Sequence, residues 1–382
     1  MPSSRIGITN WGSISALGSA PEAIWQCYQS PASRICKMAA PGDWGAELTS
    51  EQNLQVSNLQ QQNKNYAQLD RSVLLAMLAA ERAASHWHGD REFGINIGSS
   101  RGATGLWEKH FETLRSGKIS PLTSPTTTLG NISTWVAHHL QAQGFAMSHS
   151  VTCSTALHAI LNGMVWLESG RCNKFLAGGC EAPLTPFTIA QMRALRIYAS
   201  TENTTFPCRA LDMDKTVNTM VLGEGAACFA LENKPERPLA WLHGIGFANE
   251  HIETATSTSS EVFAQAMRLA LQEAQLDTVD AIVCHAPGTR LGDAVEVAAI
   301  EQVFGKNIPR LTSNKWKIGH TLGASGGLSL ELALLMLQYD QVPEIPYLAA
   351  SFGESPKPIH TVMVNAAGFG GNAVSIILQK NC

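Results

Sequence analysis

Two hydrophobic periods alternate along the chain. Residues 5–19, RIGITNWGSISALGS, alternate apolar and small positions and then meet Gly and Ser, which predicts a strand followed by a loop. PEAIWQCYQ follows as a short amphipathic helix with Pro21 at its start. Residues 40–65 are polar and rich in Gln and Asn, and are expected to form a surface excursion of low order. From Asp70 the period changes, and RSVLLAMLAAERAASHW predicts a helix. FGINIGSS predicts a strand that ends in a Gly/Ser turn. MSHSVTC is strand-like, STALHAILNGMVWLESG is helical and apolar on most sides, and KFLAGGCEA is a strand running into glycines. A helix apolar nearly all round is a buried helix. Strand, helix and strand in this order predict a parallel sheet covered on both faces.

The second half repeats this grammar. LAWLHGIGFA predicts a strand, SSEVFAQAMRLALQEA an amphipathic helix, and DAIVCHAPG a short apolar strand opening into a loop. LGDAVEVAAIEQVFG and GGLSLELALLMLQ predict two more helices, the second buried, and AVSIILQ a final strand. The expectation is an α/β protein of two similar halves, 1–235 and 236–382. The repeat is one of element order, not of residue identity.

Composition narrows the class. Of 382 residues, 45% are apolar and 15% charged, so the chain can bury a large core and is not disordered. The formal charge is −4, from 27 basic and 31 acidic residues, with no Lys/Arg run, which argues against nucleic acid as a partner. No apolar run approaches the ~20 residues of a membrane-spanning helix, and the opening lacks the apolar core of a signal peptide. The nine cysteines are odd in number and irregular in spacing, with no CxxC, which argues against a disulfide framework or a zinc site. A cytoplasmic location is expected, with most thiols acting as buried small hydrophobes.

Three side chains stand where chemistry could occur. Cys153 lies where a strand-like run hands over to an apolar helix, whose N-terminus carries partial positive charge and free N–H groups. A thiol there is expected to have a lowered pKa, with its backbone N–H available to an oxyanion. His285 in VCHAPGTRLGD and His320 in NKWKIGHTLGASGG lie where apolar segments open into Gly-bearing loops. Taken singly, each residue also fits a structural role, since a lone free cysteine is more often buried and inert. The paired His138 and His139 read as surface or helix-end residues. Near the C-terminus, Gly368, Gly370 and Gly371 surround Phe369 and would allow close backbone approach.

Taken together and in order, these segments resemble the β-ketoacyl-acyl carrier protein synthases, condensing enzymes of the thiolase superfamily. The resemblance spans almost the whole chain. VTCSTALHAI resembles the nucleophile segment, FLAGGCEA the Gly-Gly-x-Glu strand end, and CRALDMDKTVNTMVLGEGA the Arg-Pro-Phe-Asp run through Gly-Glu-Gly-Ala. HAPGTRLGD resembles HGTSTPLGD, SNKWKIGHTLGASGG resembles STKSMTGHTLGAAGG, and NAAGFGGN resembles NSFGFGGTN. The resemblance implies a thiolase-like fold of two βαβαβαββ halves in α-β-α-β-α layers. It implies Cys153 as acyl-accepting nucleophile, His285 and His320 as the decarboxylation pair, and Lys315 as the lysine of their network. Phe369 would gate the pocket and share the oxyanion hole with Cys153. Thr289 would contact pantetheine, and Asp293 and Glu296 match the acidic pair of LGDxxE.

The chain departs from the pattern at Pro287, which takes the place of the first pantetheine threonine, and at Ala367, which replaces an aromatic residue beside the nucleophile. Ser329 stands where a glutamate partner of Lys315 is expected, and Glu331 would point elsewhere on its helix. The resemblance implies an acyltransferase making 3-oxoacyl chains in fatty acid or aryl polyene/polyketide-type elongation. No metal or organic cofactor is implied, because the phosphopantetheine arm belongs to the acyl carrier protein. A homodimer, or a heterodimer with a ketosynthase-like or chain-length-factor subunit, is implied. A non-catalytic chain-length-factor-like role is the alternative. Lys64 and Arg71 are the candidate carrier-docking residues.

Overall fold

The computed structural model describes residues 6–39, 42–202, 204–250, 259–348, 353 and 358–381. Ten strands form its main sheet. The first half supplies β1 (Ile6–Ser15), β2 (Gly94–Gly98), β3 (Ala146–Met147), β4 (Lys174–Glu181) and β5 (Gly225–Asn233). The second supplies β6 (Ala240–Asn249), β7 (Ala281–Val283), β8 (Arg310–Thr312), β9 (Thr361–Gly368) and β10 (Asn372–Lys380). The order is β3-β2-β4-β5-β1-β6-β10-β9-β7-β8. Reading each half from its outer edge gives the same rank order of strands. The pairing directions also match. β2 runs parallel to β3 and β4, as β7 does to β8 and β9, while the remaining pairs within each half are antiparallel. The halves join where β1 and β6 pair through Gly7 with Trp241 and Ile8 with Ala240.

Helices complete the layers. α1 (Pro21–Gln29), α2 (Ser50–Gln62) and α3 (Arg71–Ala84) precede β2. α4 (Thr104–Arg115) and α5 (Asn131–Leu140) lie between β2 and β3, and α6 (Thr155–Glu168) leads into β4. The second half carries α7 (Glu261–Ala274), α8 (Arg290–Phe304) and α9 (Ser325–Tyr339). α3 packs on β1 and β5, and α7 occupies the equivalent place on β6 and β10. α6 and α9 pack against each other between the two five-stranded arrays. Every residue of α9 from Ser325 to Leu337 is buried, as its all-round apolar sequence requires. This is the layered α-β-α-β-α thiolase-like arrangement.

Two local expectations are corrected. Within the polar stretch 40–65, residues 50–62 form α2, with Thr49 accepting from the Gln52 amide at its N-terminus. Gln52, Val56 and Leu59 form a sparse buried stripe that the surrounding glutamines and asparagines conceal. Residues 40 and 41 lie outside the described residues. The strand expected over MSHSVTC ends at Met147. Beyond it the backbone kinks, with Thr152 at φ +49°, to deliver Cys153 to the start of α6.

Candidate active site

The loop that carries Cys153 is fixed from three directions. Thr155 Oγ1 donates to the Thr152 carbonyl at 2.6 Å and accepts from the Val151 amide at 2.8 Å. Ser154 Oγ donates to Asn372 Oδ1 at 2.5 Å, and Asn372 Nδ2 donates to the Phe369 carbonyl at 3.1 Å. Thr152 Oγ1 donates to the same carbonyl at 3.2 Å. The β9–β10 turn is thereby stitched to the chain around Cys153. A Cβ at Gly368 would sit 1.8 Å from Thr152 Oγ1 and 3.1 Å from the Cys153 amide nitrogen, so only glycine permits this approach.

Cys153 is buried at the head of α6. The expectation of a lowered thiol pKa is overturned. Burial pushes the thiol up to about 12, and Glu181 adds to the rise, against Lys315 and Arg101. The helix end is in place, but desolvation of the thiolate outweighs it. Glu181, at the end of β4, is a buried hub. It accepts from Ser99 Oγ at 2.7 Å, the Ser100 amide at 2.8 Å and the Gly323 amide at 2.9 Å. Burial raises its own pKa to about 7 against those hydrogen bonds.

His285 and His320 come from the second half. Their rings meet edge to face, with centroids 5.2 Å apart. Burial lowers both, His320 to about 3 and His285 well below its ordinary value, so both are neutral at pH 7. Glu296 holds the His285 loop by accepting from the His285 and Ala286 amides at 2.9 and 2.7 Å. Asp293 accepts from the Gly288 amide at 3.0 Å and forms a buried ion pair with Lys215 at 2.8 Å. These carboxylates therefore shape the loop from behind. Thr289 caps α8, accepting from the Gly292 amide at 3.1 Å.

Lys315 is buried beside this pair. Its ammonium donates to Asn314 Oδ1 at 2.8 Å and Ser329 Oγ at 3.1 Å. Among the described residues no carboxylate lies within ion-pair distance of it. Burial lowers it to about 8, with Glu296 and nearby thiols opposing the fall. Ser329 thus occupies the position of the expected acid, and Glu331 faces away toward β1 and α1.

Cys153, His285, His320, Thr289 and Phe369 line one cavity of about 360 Å³, within the size range of small-molecule sites. Met192, Ile197, Met220, Val295 and Ala367 make its wall mostly apolar, and Pro287 sits on the same wall. The chain matches the family model "Beta-ketoacyl synthase, N-terminal domain" over residues 11–237 and "Beta-ketoacyl synthase, C-terminal domain" over residues 239–348. The chain belongs to the beta-ketoacyl synthase family.

Within that family it is 28% identical to the 3-oxoacyl-[acyl-carrier-protein] synthase 2 of Coxiella burnetii (strain RSA 493 / Nine Mile phase I), over all of this chain and 99% of that protein. Its fold matches the ishigamide ketosynthase/chain length factor with a TM-score of 0.86 at 22% identity, over 99% of this chain and 100% of that one. It also matches AntDE:AntF, a type II PKS acyl-carrier protein in complex with its ketosynthase bound to the hexaketide. There the TM-score is 0.84 at 21% identity, over 99% of this chain and 100% of the matched chain.

This beta-ketoacyl synthase family chain uses several residues that motif reading did not single out. Glu181, Asn314 and Asn372 hold the site together, and each lies inside one of the motifs FLAGGCEA, SNKWKIGHTLGASGG and NAAGFGGN without having been given a role there. Arg71 is not a free docking group, because it pairs with Glu224 at 2.6 Å and donates to Asn53 Oδ1. Lys64 is exposed.

Proposed function

We propose that the chain catalyses decarboxylative Claisen condensation between a malonyl group on an acyl carrier protein and an acyl chain held on Cys153. The observation that carries this reading is one apolar cavity lined by a helix-start thiol and two neutral, buried histidines. In the first half-reaction the Cys153 sulfur attacks the acyl thioester. The carrier thiol leaves, and the Cys153 proton passes to it. Backbone N–H groups of Cys153 and Phe369 would stabilise the oxyanion. In the second, the malonyl carboxylate leaves as carbon dioxide. Neutral His285 and His320 would donate to the thioester oxygen while negative charge develops there. The enolate then attacks the acyl-Cys153 thioester, releasing a 3-oxoacyl carrier thioester and returning the cysteine sulfur, which regains a proton.

Lys315 would hold positive charge behind the histidines, and Asp293 and Glu296 would keep the His285 loop in place. Thr289 and the apolar wall would receive the pantetheine arm. The carrier protein brings that arm, and no cofactor of the chain's own is invoked. Fatty acyl and aryl polyene/polyketide-type chains both suit an apolar site widened at Ala367. Eight described cysteines are unpaired, in keeping with work in the cytoplasm. A thiolase-fold partner, identical or of chain-length-factor type, would sit at the β3 edge of the sheet. α4, in the excursion between β2 and β3, exposes Trp107, Phe111 and Leu114 at helical spacing, an apolar face such a partner would cover. The alternative, a non-catalytic chain-length-factor role, draws on the structural likeness to a ketosynthase/chain length factor pair.

Intact-protein mass spectrometry with acyl carrier proteins bearing short fatty, long fatty or aryl-polyenoyl chains separates the two. Acyl mass gained by wild type and not by Cys153→Ala supports catalysis, whether the chain loads alone or only with its partner. No loading under either condition favours the non-catalytic role.

A further inference from the structure

Behind Lys315 lies a buried polar cluster that the proposed chemistry leaves unused. Glu331 on α9 is fully buried, and neither carboxylate oxygen has a hydrogen-bond partner of ordinary geometry among the described residues. The same holds for Ser13 Oγ on β1, Tyr28 Oη on α1 and Asn314 Nδ2. Ser13, Tyr28 and Asn314 are all at most 3% exposed. These orphan groups face one another, with Ser13 and Tyr28 beside the Glu331 carboxyl and Asn314 beside the Tyr28 hydroxyl. Leaving buried polar atoms unpaired is costly, so small side-chain rotations that close the network are favoured.

Its direction is set by donor and acceptor identity. Asn314 Oδ1 receives the Lys315 ammonium at 2.8 Å and lies 3.4 Å from the Ser329 hydroxyl. A flipped amide would turn its N–H groups against an ammonium, so Asn314 presents those N–H groups to Tyr28. The phenol oxygen then accepts, and its proton points to Glu331. The side chain of Lys317 keeps α1 in place by donating to the Cys27 and Ser30 carbonyls, and the Arg34 amide donates to the Lys317 carbonyl at 2.9 Å.

We propose that Glu331 is a positioning residue for Lys315, acting through the head-to-tail series Lys315–Asn314–Tyr28–Glu331. Ser329 occupies the place beside the ammonium, and the carboxyl group stands at the far end of the series. Burial raises Glu331 to about 7, while Ser13 and Tyr28 pull it down. It can therefore carry negative charge near neutrality without a direct ion pair. The role in turnover rests on the condensing function proposed above, but the electrostatic link does not.

The test compares Glu331→Leu, Glu331→Gln, Tyr28→Phe and the Leu/Phe double variant. Glu331→Leu and Tyr28→Phe should each lower the condensation kcat about tenfold, with KM for the malonyl carrier and acyl loading of Cys153 unchanged. The double variant should be no worse than either single one, because both break the same series. Glu331→Gln, which keeps an acceptor oxygen, should retain more activity. NMR of the Lys315 ammonium, assigned with Lys315→Met, should show its midpoint falling by about one pH unit in Glu331→Leu. Its other charged or titrating neighbours, Glu296, Cys153, Cys208, Cys284 and the two histidines, are untouched. A folded Glu331→Leu with wild-type kcat and midpoint overturns the proposal, as do losses that multiply in the double variant. If Glu331→Leu does not fold, Tyr28→Phe and Glu331→Gln carry the same comparison. If wild type does not condense, the functional reading fails, and the midpoint still decides the link.

Discussion

Cys153 rests as a thiol, because burial pushes it up to about 12. Under the proposed chemistry its proton must leave during the attack, because there is no standing thiolate. His285 and His320 are already neutral through the physiological range and set no acid limit near pH 6. Buried Glu181, Glu296 and Glu331 are raised to about 7, and Lys315 is the site group that titrates on the alkaline side. It is lowered to about 8, so it is cationic below that pH and neutral above. Condensation should fall on the alkaline side with a midpoint near 8 as Lys315 loses its charge. A pH–rate profile checks this, and Lys315→Met should remove the alkaline limb while lowering the plateau. The cysteine, both histidines and the lysine were legible because they sit in three motifs, with Lys315 and His320 sharing SNKWKIGHTLGASGG. Asn314 and Glu331 were not legible as a set, since Tyr28 reaches them across nearly 300 residues of chain. The raised thiol pKa was also hidden, because a helix start is visible in sequence and the depth of its burial is not.

At the scale of elements, the site depends on a glycine between two loops. Gly368 lies against the Thr152–Cys153 backbone, and β9 and β10 meet there through the Gly368–Asn372 pair. Gly368→Ala should displace the Thr152–Cys153 loop and lower acyl loading of Cys153 at least about tenfold. Thr152→Ala in the same chain removes the clashing hydroxyl and should restore part of the rate, measured by acyl-protein mass against time. Most helices were legible from period alone, and the Pro21–Gln29 element matches its predicted span. α2 was missed because only Gln52, Val56 and Leu59 face inward. The strand before Cys153 was overextended because HSVT has strand composition, whereas the local backbone is governed by the turn into α6.

At the scale of the molecule, two halves with the same strand order meet across α6 and α9, and the site forms where they meet. The first contributes Cys153, and the second contributes His285, Lys315, His320 and Phe369. The similar order of elements was visible in the sequence, but the pairing of β1 with β6 and the edge position of β3 were not, because pairing partners lie far apart in the chain. The exposed apolar face of α4, in the excursion between β2 and β3, is the surface a partner should cover. Phe111, 63% exposed, contributes little to the fold of this chain. Phe111→Glu should therefore leave Tm nearly unchanged and shift light-scattering mass toward monomer, and an unchanged assembly would remove α4 from the interface. The most direct measurement is single turnover. The protein, loaded with an acyl group at Cys153 and with its partner where loading needs one, is mixed with malonyl-acyl carrier protein. Released carbon dioxide and the carrier-bound product are then followed together. The condensing function predicts equal amounts of carbon dioxide and a 3-oxoacyl chain two carbons longer, with loss of the acyl mass from Cys153. Acyl-Cys153 that persists while no extended chain forms would contradict it.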